Sequence, residues 1–288
     1  MRHTGLKVRM LVMGSVLFGF YAALVAFFRP FVGLPIVVVG TLLFVLVQYA
    51  LGKWLALRSV GAEDLSEDQY PHVHRTVEDL SAEMGLSKPK LKVARMGVPN
   101  AFAVGRKGAG VVVVSESLLD LLSEDELAGV LAHELAHINN RDVIMMLIGQ
   151  SIATLLGLTV FWVLALLDDS IIVTIVAWIL SAIVQFVVSL FVLAISRYRE
   201  YVADSDAARY TDDPEAMARA LAKIGAIGHH DDAPAVPDDV GALCLFGGKR
   251  GLLATITATH PPIEKRIEKL TGVDGERAVE TARSELRL

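Results

Sequence analysis

The sequence predicts a mainly α-helical membrane protein with a small β-sheet: four transmembrane helices in two hairpins, plus one polar domain built from two separated stretches. Three observations predict it. Hydrophobic residues fill 53% of 288 positions, more than an ordinary soluble chain carries. That content is concentrated in four blocks, and all the basic residues flanking those blocks but Arg29 fall on one side.

The blocks are 10–28, 32–51, 143–167 and 171–195, each about 19 to 25 residues and long enough to cross a bilayer as a helix. A cleavable signal peptide following Arg2, Lys7 and Arg9 is the weaker reading of the first block, because no small-residue cleavage site precedes the second. Lys53 and Arg58 follow the second block, Arg141 precedes the third, and Arg197 and Arg199 follow the fourth. The opposite loops carry Arg29, Asp168 and Asp169. The positive-inside rule therefore puts both termini and the polar stretches in the cytoplasm. The organisation expected is a transmembrane hairpin over 1–56, the first part of the polar domain over 57–142, a second hairpin over 143–195 and the second part of the domain over 196–288.

The polar stretches read as follows. A helix spans 70–84, and short strands lie at 90–94, 101–104 and 111–114. Ser123 and Glu126 form a Ser-x-x-Glu capping box, and Leu127, Leu131, Leu135 and Ile138 recur at helical spacing, so a helix runs over 124–139. Further helices are expected at 196–210, 214–224 and 262–270, with Pro214 and Pro262 at two of the starts. The stretch 228–257, rich in Gly, Asp and Pro, reads as a loop. A net charge of −5 without a basic stripe excludes nucleic acid as a partner. The single cysteine, Cys244, excludes an intramolecular disulfide and suits a reducing compartment.

The run His133-Glu134-Leu135-Ala136-His137 sets two imidazoles four residues apart, so on a helix both project from one face and can grip one ion, with Glu134 beside them. Catalytic zinc takes three protein ligands and keeps a position open to water. Glu200 is the best candidate for the third. Asp204, one turn onward on the same face, can accept the outer N–H of a ligating histidine. The competing view of Glu200 and Asp204 is a solvated pair with Arg197 and Arg199. With the ion in place, Glu134 is the general base for attack of water on an amide.

An intramembrane protease would draw a ligand from a later span, but Asp168 and Asp169 lie a helix of roughly 37 Å away. A non-catalytic scaffold, or a zinc sensor whose site is closed to water, is the other alternative.

These residues resemble the HtpX-like membrane metalloproteases, related to the CAAX prenyl endoproteases. The resemblance rests on the order of two spans, HELAH, two spans and the glutamate helix, with Pro99-Asn100-Ala101-Phe102-Ala103 and Thr259-His260-Pro261-Pro262 ending near Arg266. It implies a gluzincin-like cytoplasmic domain in a plasma-membrane protein of the stress response, with one zinc ion per chain on His133, His137 and Glu200. It further implies Glu134 as catalytic base, Asp204 in support, and unfolded or membrane polypeptides as substrates in protein quality control. Asn100, Ala101 and Phe102 resemble the active-site edge strand that binds substrate by main-chain pairing. His260 resembles a donor to the substrate carbonyl or oxyanion; a histidine that merely precedes a helix is the equal alternative.

Overall fold

A computed structural model describes residues 33–228 and 260–287, with scattered positions between 12 and 30. In chain order its elements are α1 (Leu34–Ser59), β1 (Glu63–Asp64), α2 (Pro71–Glu83), β2 (Lys90–Ala94), β3 (Ala101–Val104), β4 (Val111–Ser115), α3 (Glu116–Leu121), α4 (Glu124–Asn140), α5 (Asp142–Ala165), α6 (Ile171–Thr211), α7 (Pro214–Gly228), α8 (Ile263–Thr271) and α9 (Gly275–Leu286). The chain is mostly helical with a small mixed sheet. It divides into two units, one of residues up to Gly52 with Ile144–Tyr198, the other of Lys53–Val143 with the chain from Arg199 onward.

Among the described residues three helices are long and apolar enough to cross a membrane: Val38–Ser59, Asp142–Ala165 and Ile171–Thr211. The expected span 10–28 and the expected loop 228–257 fall largely outside the described residues. In the first unit Leu42, Leu46, Trp162 and Trp178 point outward, a surface that lipid solvates and water does not. The hairpin of α5 and α6 closes on small and polar residues, as helices do where lipid offers no hydrophobic drive. Ser181 Oγ donates to the Gly157 carbonyl over 2.7 Å. A Cβ at Gly157 would lie 3.1 Å from the Ser181 carbonyl oxygen, so glycine sets the distance of closest approach. Ile152 and Ala153 pack there with Val188, Val192 and Ile195.

The helices expected at 171–195 and 196–210 are one helix of 41 residues. The change from apolar to polar at Ser196 reads as a boundary, but the following run holds no Gly or Pro, and its alanines, arginines and Glu200 all favour helix. Lipid-compatible and polar segments are therefore parts of a single element.

In the second unit the sheet order is β1-β2-β4-β3, with β2 parallel to β4 and the other two pairings antiparallel. The central strand β4, Val-Val-Val-Val-Ser, is buried throughout, as a strand covered on both faces must be. Val112 and Val114 join Val73, Val77, Leu118, Leu131 and Leu135. On the other face Val111 and Val113 meet Phe102, Val104 and the end of α1 at Ala56, Leu57 and Val60. β3 occupies the sheet edge.

Helix α4 begins at the expected capping box: Ser123 N–H donates to Glu126 Oε2 over 2.9 Å and Glu126 N–H to Ser123 Oγ over 3.4 Å. It ends at Arg141, which takes the left-handed conformation at φ 58°. A single residue thus separates α4 from α5. Three elements, β1, α3 and α9, have no counterpart in the sequence reading.

Candidate metal centre

Two helices supply the site. On α4 the imidazoles of His133 and His137 stand nearly perpendicular, at 88° with centroids 4.7 Å apart, and their Nε2 atoms are 3.1 Å apart. From α6, Glu200 Oε2 lies 3.6 Å from His133 Nε2, and Oε1 lies 3.5 Å from His137 Nε2. These three side chains are the ones that could hold an ion among the described residues, with ligand atoms all within 4.8 Å of one another.

The separations fit a tetrahedral centre. Metal–ligand bonds of about 2.0–2.1 Å at tetrahedral angles place neighbouring ligand atoms about 3.3 Å apart, close to the observed 3.1, 3.5 and 3.6 Å. Buried polar atoms agree with that: Glu200 Oε2 and His260 Nδ1 are 2.9 Å apart, yet neither makes a hydrogen bond of acceptable geometry among the described residues. A buried carboxylate oxygen without such a bond is costly unless a further partner meets it.

Carboxylates hold the far nitrogens of both histidines. Asp204 Oδ1 lies 2.9 Å from His133 Nδ1 and Asp142 Oδ2 lies 2.7 Å from His137 Nδ1. With Nδ1–H donated outward, each ring turns its Nε2 lone pair inward. Each carboxylate is backed by an arginine. Arg266, fully buried, donates to Asp204 through Nε over 2.9 Å and Nη2 over 2.6 Å. Arg199 pairs with Asp142 and donates to the Asn140 carbonyl over 2.9 Å.

The same contacts set protonation. Burial alone would push the His133 pKa down, but the adjacent carboxylates of Asp204 and Glu200 carry it up to about 9. Burial dominates at His137 and lowers its pKa. The charges around Arg266, that of Asp204 above all, outweigh its burial and raise its pKa. Glu134 is buried beside the ligating pair, and its charge acts on both His137 and Arg266.

His133, Glu134, His137, Glu200, Asp204 and His260 therefore come together. Asn100, Ala101 and Phe102 lie at the start of β3, which packs against α4. Asn100 is buried, its backbone N–H donating to Ser115 Oγ over 2.8 Å and its carbonyl accepting from Ser115 N–H over 2.8 Å. Its Nδ2 faces Met96 Sδ at 3.7 Å. Asp142, Arg199 and Arg266 have no site role in the sequence reading. For Asp142 the usable signal is its place five residues beyond His137, across a helix end.

The sequence model described as Peptidase family M48 matches residues 67–274. A Protease HtpX homolog from Halobacterium salinarum is 46% identical over 288 aligned positions, covering 91% of this chain and 99% of the relative. A second, from Pyrococcus abyssi, is 36% identical over 234, covering 78% and 81%. The crystal structure of S. mikatae Ste24p is similar in fold, with a TM-score of 0.57 at 16% identity over 93% of this chain and 67% of the other. A match across most of the polar domain, with relatives aligned along most of both chains, has one meaning: the chain belongs to peptidase family M48 and is a membrane metalloprotease.

Proposed function

We propose that the protein is a zinc endopeptidase of the plasma membrane that cleaves unfolded or membrane-derived polypeptides on the cytoplasmic side, as a quality-control enzyme. The observation that carries this reading is the triangle of two Nε2 atoms and the Glu200 carboxylate, with Glu134 on the adjoining helix position. His133, His137 and Glu200 are the zinc ligands, and Asp204 and Asp142 orient the imidazoles. Zinc, when bound, supplies the Lewis acidity that makes water a nucleophile near neutral pH.

Glu134 accepts a proton from the attacking water and passes it to the departing amine, so one carboxylate serves both halves of hydrolysis. His260, whose Nδ1 lies 2.9 Å from Glu200 Oε2, donates to the developing oxyanion. Substrate lies along β3, whose outer edge in the order β1-β2-β4-β3 pairs with no further strand among the described residues, and adds to it by main-chain pairing as an extended peptide. Asn100, at the entrance to that strand, holds a peptide carbonyl. Four spans, near 10–28, 32–51, 143–167 and 171–195, divide the chain at about 56, 142 and 195 and leave both termini cytoplasmic.

Chelation tests the reading directly. Cleavage of an unfolded substrate in detergent should stop with a zinc chelator and return on adding zinc, and a reporter between Asp168 and Asp169 should behave as external while one after Leu288 behaves as cytoplasmic. Chelator-resistant cleavage overturns the chemistry, and the reverse reporter pattern overturns the orientation.

The raised His133 pKa gives a second expectation. In chelator-stripped protein this ring keeps a proton below about pH 9, and zinc must displace it. Apparent zinc affinity should therefore climb about tenfold per pH unit between about pH 7 and about pH 8. A competition titration corrected for the indicator's own protonation reads this, and a flat profile contradicts it.

A further inference from the structure

The end of α1 and the turn between β3 and β4 together form a basic platform that the metal chemistry does not use. Lys53, in the candidate span Val38–Ser59, donates through Nζ to the Ala109 carbonyl over 2.9 Å. This bond ties the β3–β4 turn to the end of a membrane-crossing helix. The tie is reinforced by apolar packing, since Ala56, Leu57 and Val60 lie against Phe102, Val104 and Val111.

The turn itself is built. Gly105 has φ +110°, and a Cβ there would lie 2.4 Å from the Ala109 carbonyl oxygen, so a side chain is barred. Ala109 N–H donates to the Arg106 carbonyl over 2.8 Å, and Lys90 N–H to the Gly110 carbonyl over 3.1 Å. Arg106 and Lys107 are held at its tip and Lys90 at its base, all three exposed. Lys90 and Arg106 both repel the Lys53 ammonium. Among the described residues no carboxylate lies within ion-pair distance of Lys53, Lys90, Arg106 or Lys107; the nearby Asp64, whose charge also acts on Lys90, is bonded to Lys92. Nearby, the Arg58 guanidinium lies over the exposed Trp54 ring at 5.3 Å, a pairing suited to the headgroup level of a bilayer.

We infer that Lys53, Lys90, Arg106 and Lys107 form a docking surface for the phosphate headgroups of anionic phospholipids. Four like charges gathered beside a span's end gain from a negative lipid surface, each by about fivefold in partitioning. The surface stands on its own residues and does not depend on the metal reading, which zinc content reports separately.

Hydrogen exchange of the full-length protein in nanodiscs tests it. Exchange of the Gly105–Gly110 turn is compared in pure phosphatidylcholine and in phosphatidylcholine with phosphatidylglycerol, for the parent and for the triple variant K90Q/R106Q/K107Q. Phosphatidylglycerol should slow the turn in the parent by at least about fivefold, the gain of a single such charge, with no slowing in the variant; the single variant K107Q should fall between them. Equal exchange in both lipids, or equal slowing in parent and triple variant, overturns the proposal. Inorganic phosphate added to phosphatidylcholine discs should leave the turn unchanged, and slowing by phosphate alone would assign the surface to a soluble anion instead.

Discussion

Glu134→Gln is expected to lower the turnover of an unfolded substrate by about a hundredfold to ten-thousandfold, the usual contribution of a positioned general base, while zinc content stays near one ion per chain. The separation follows from geometry. The atoms that converge on one point are His133 Nε2, His137 Nε2 and the Glu200 carboxylate, and the substitution touches none of them. The amide is close in size to the carboxylate, so the buried position beside His133 and His137 keeps its packing while losing its basicity. Substrate cleavage and metal analysis on the same purified sample check this. Undiminished turnover would remove Glu134 from the mechanism, and loss of zinc would make it a ligand.

The second large effect is expected at Arg266. Its guanidinium is fully buried and forks onto Asp204, which in turn holds His133. Arg266→Ala leaves a buried carboxylate without its counter-ion, a change that costs about 3–5 kcal/mol. Zinc affinity should fall about tenfold to a hundredfold as His133 loses its fixed orientation. Arg266→Lys restores charge but not the two-pronged geometry, so it should recover part of the stability and less of the affinity. Thermal midpoint and zinc competition together read the two effects. A variant as stable and as zinc-avid as the parent would show that Asp204 needs no support.

The parts of this architecture legible in sequence are those set by local physics. The capping box of Ser123 and Glu126 and the four-residue step between His133 and His137 define α4 almost to the residue, since both depend only on helix geometry. The strands β2 and β3 match their expected limits because Gly, Pro and Asn bound them closely. The boundary expected at Ser196 reflects solvent preference, which changes there, and not backbone propensity, which does not. The supporting roles of Arg266 and Arg199 are not legible for a different reason. Their roles arise from pairing with Asp204 and Asp142, 62 and 57 positions away in the chain, and nothing in the local sequence marks an arginine as buried.

Arg141 makes the chain between His137 and Asp142 a ruler. Its left-handed turn ends one helix and lets the next begin at once, so the Asp142 carboxylate falls 2.7 Å from the His137 ring. Adding one residue to that tract would swing the carboxylate about 100° around the new helix axis, away from the imidazole. The tract can therefore drift in composition, but its length is fixed by the ring it must reach.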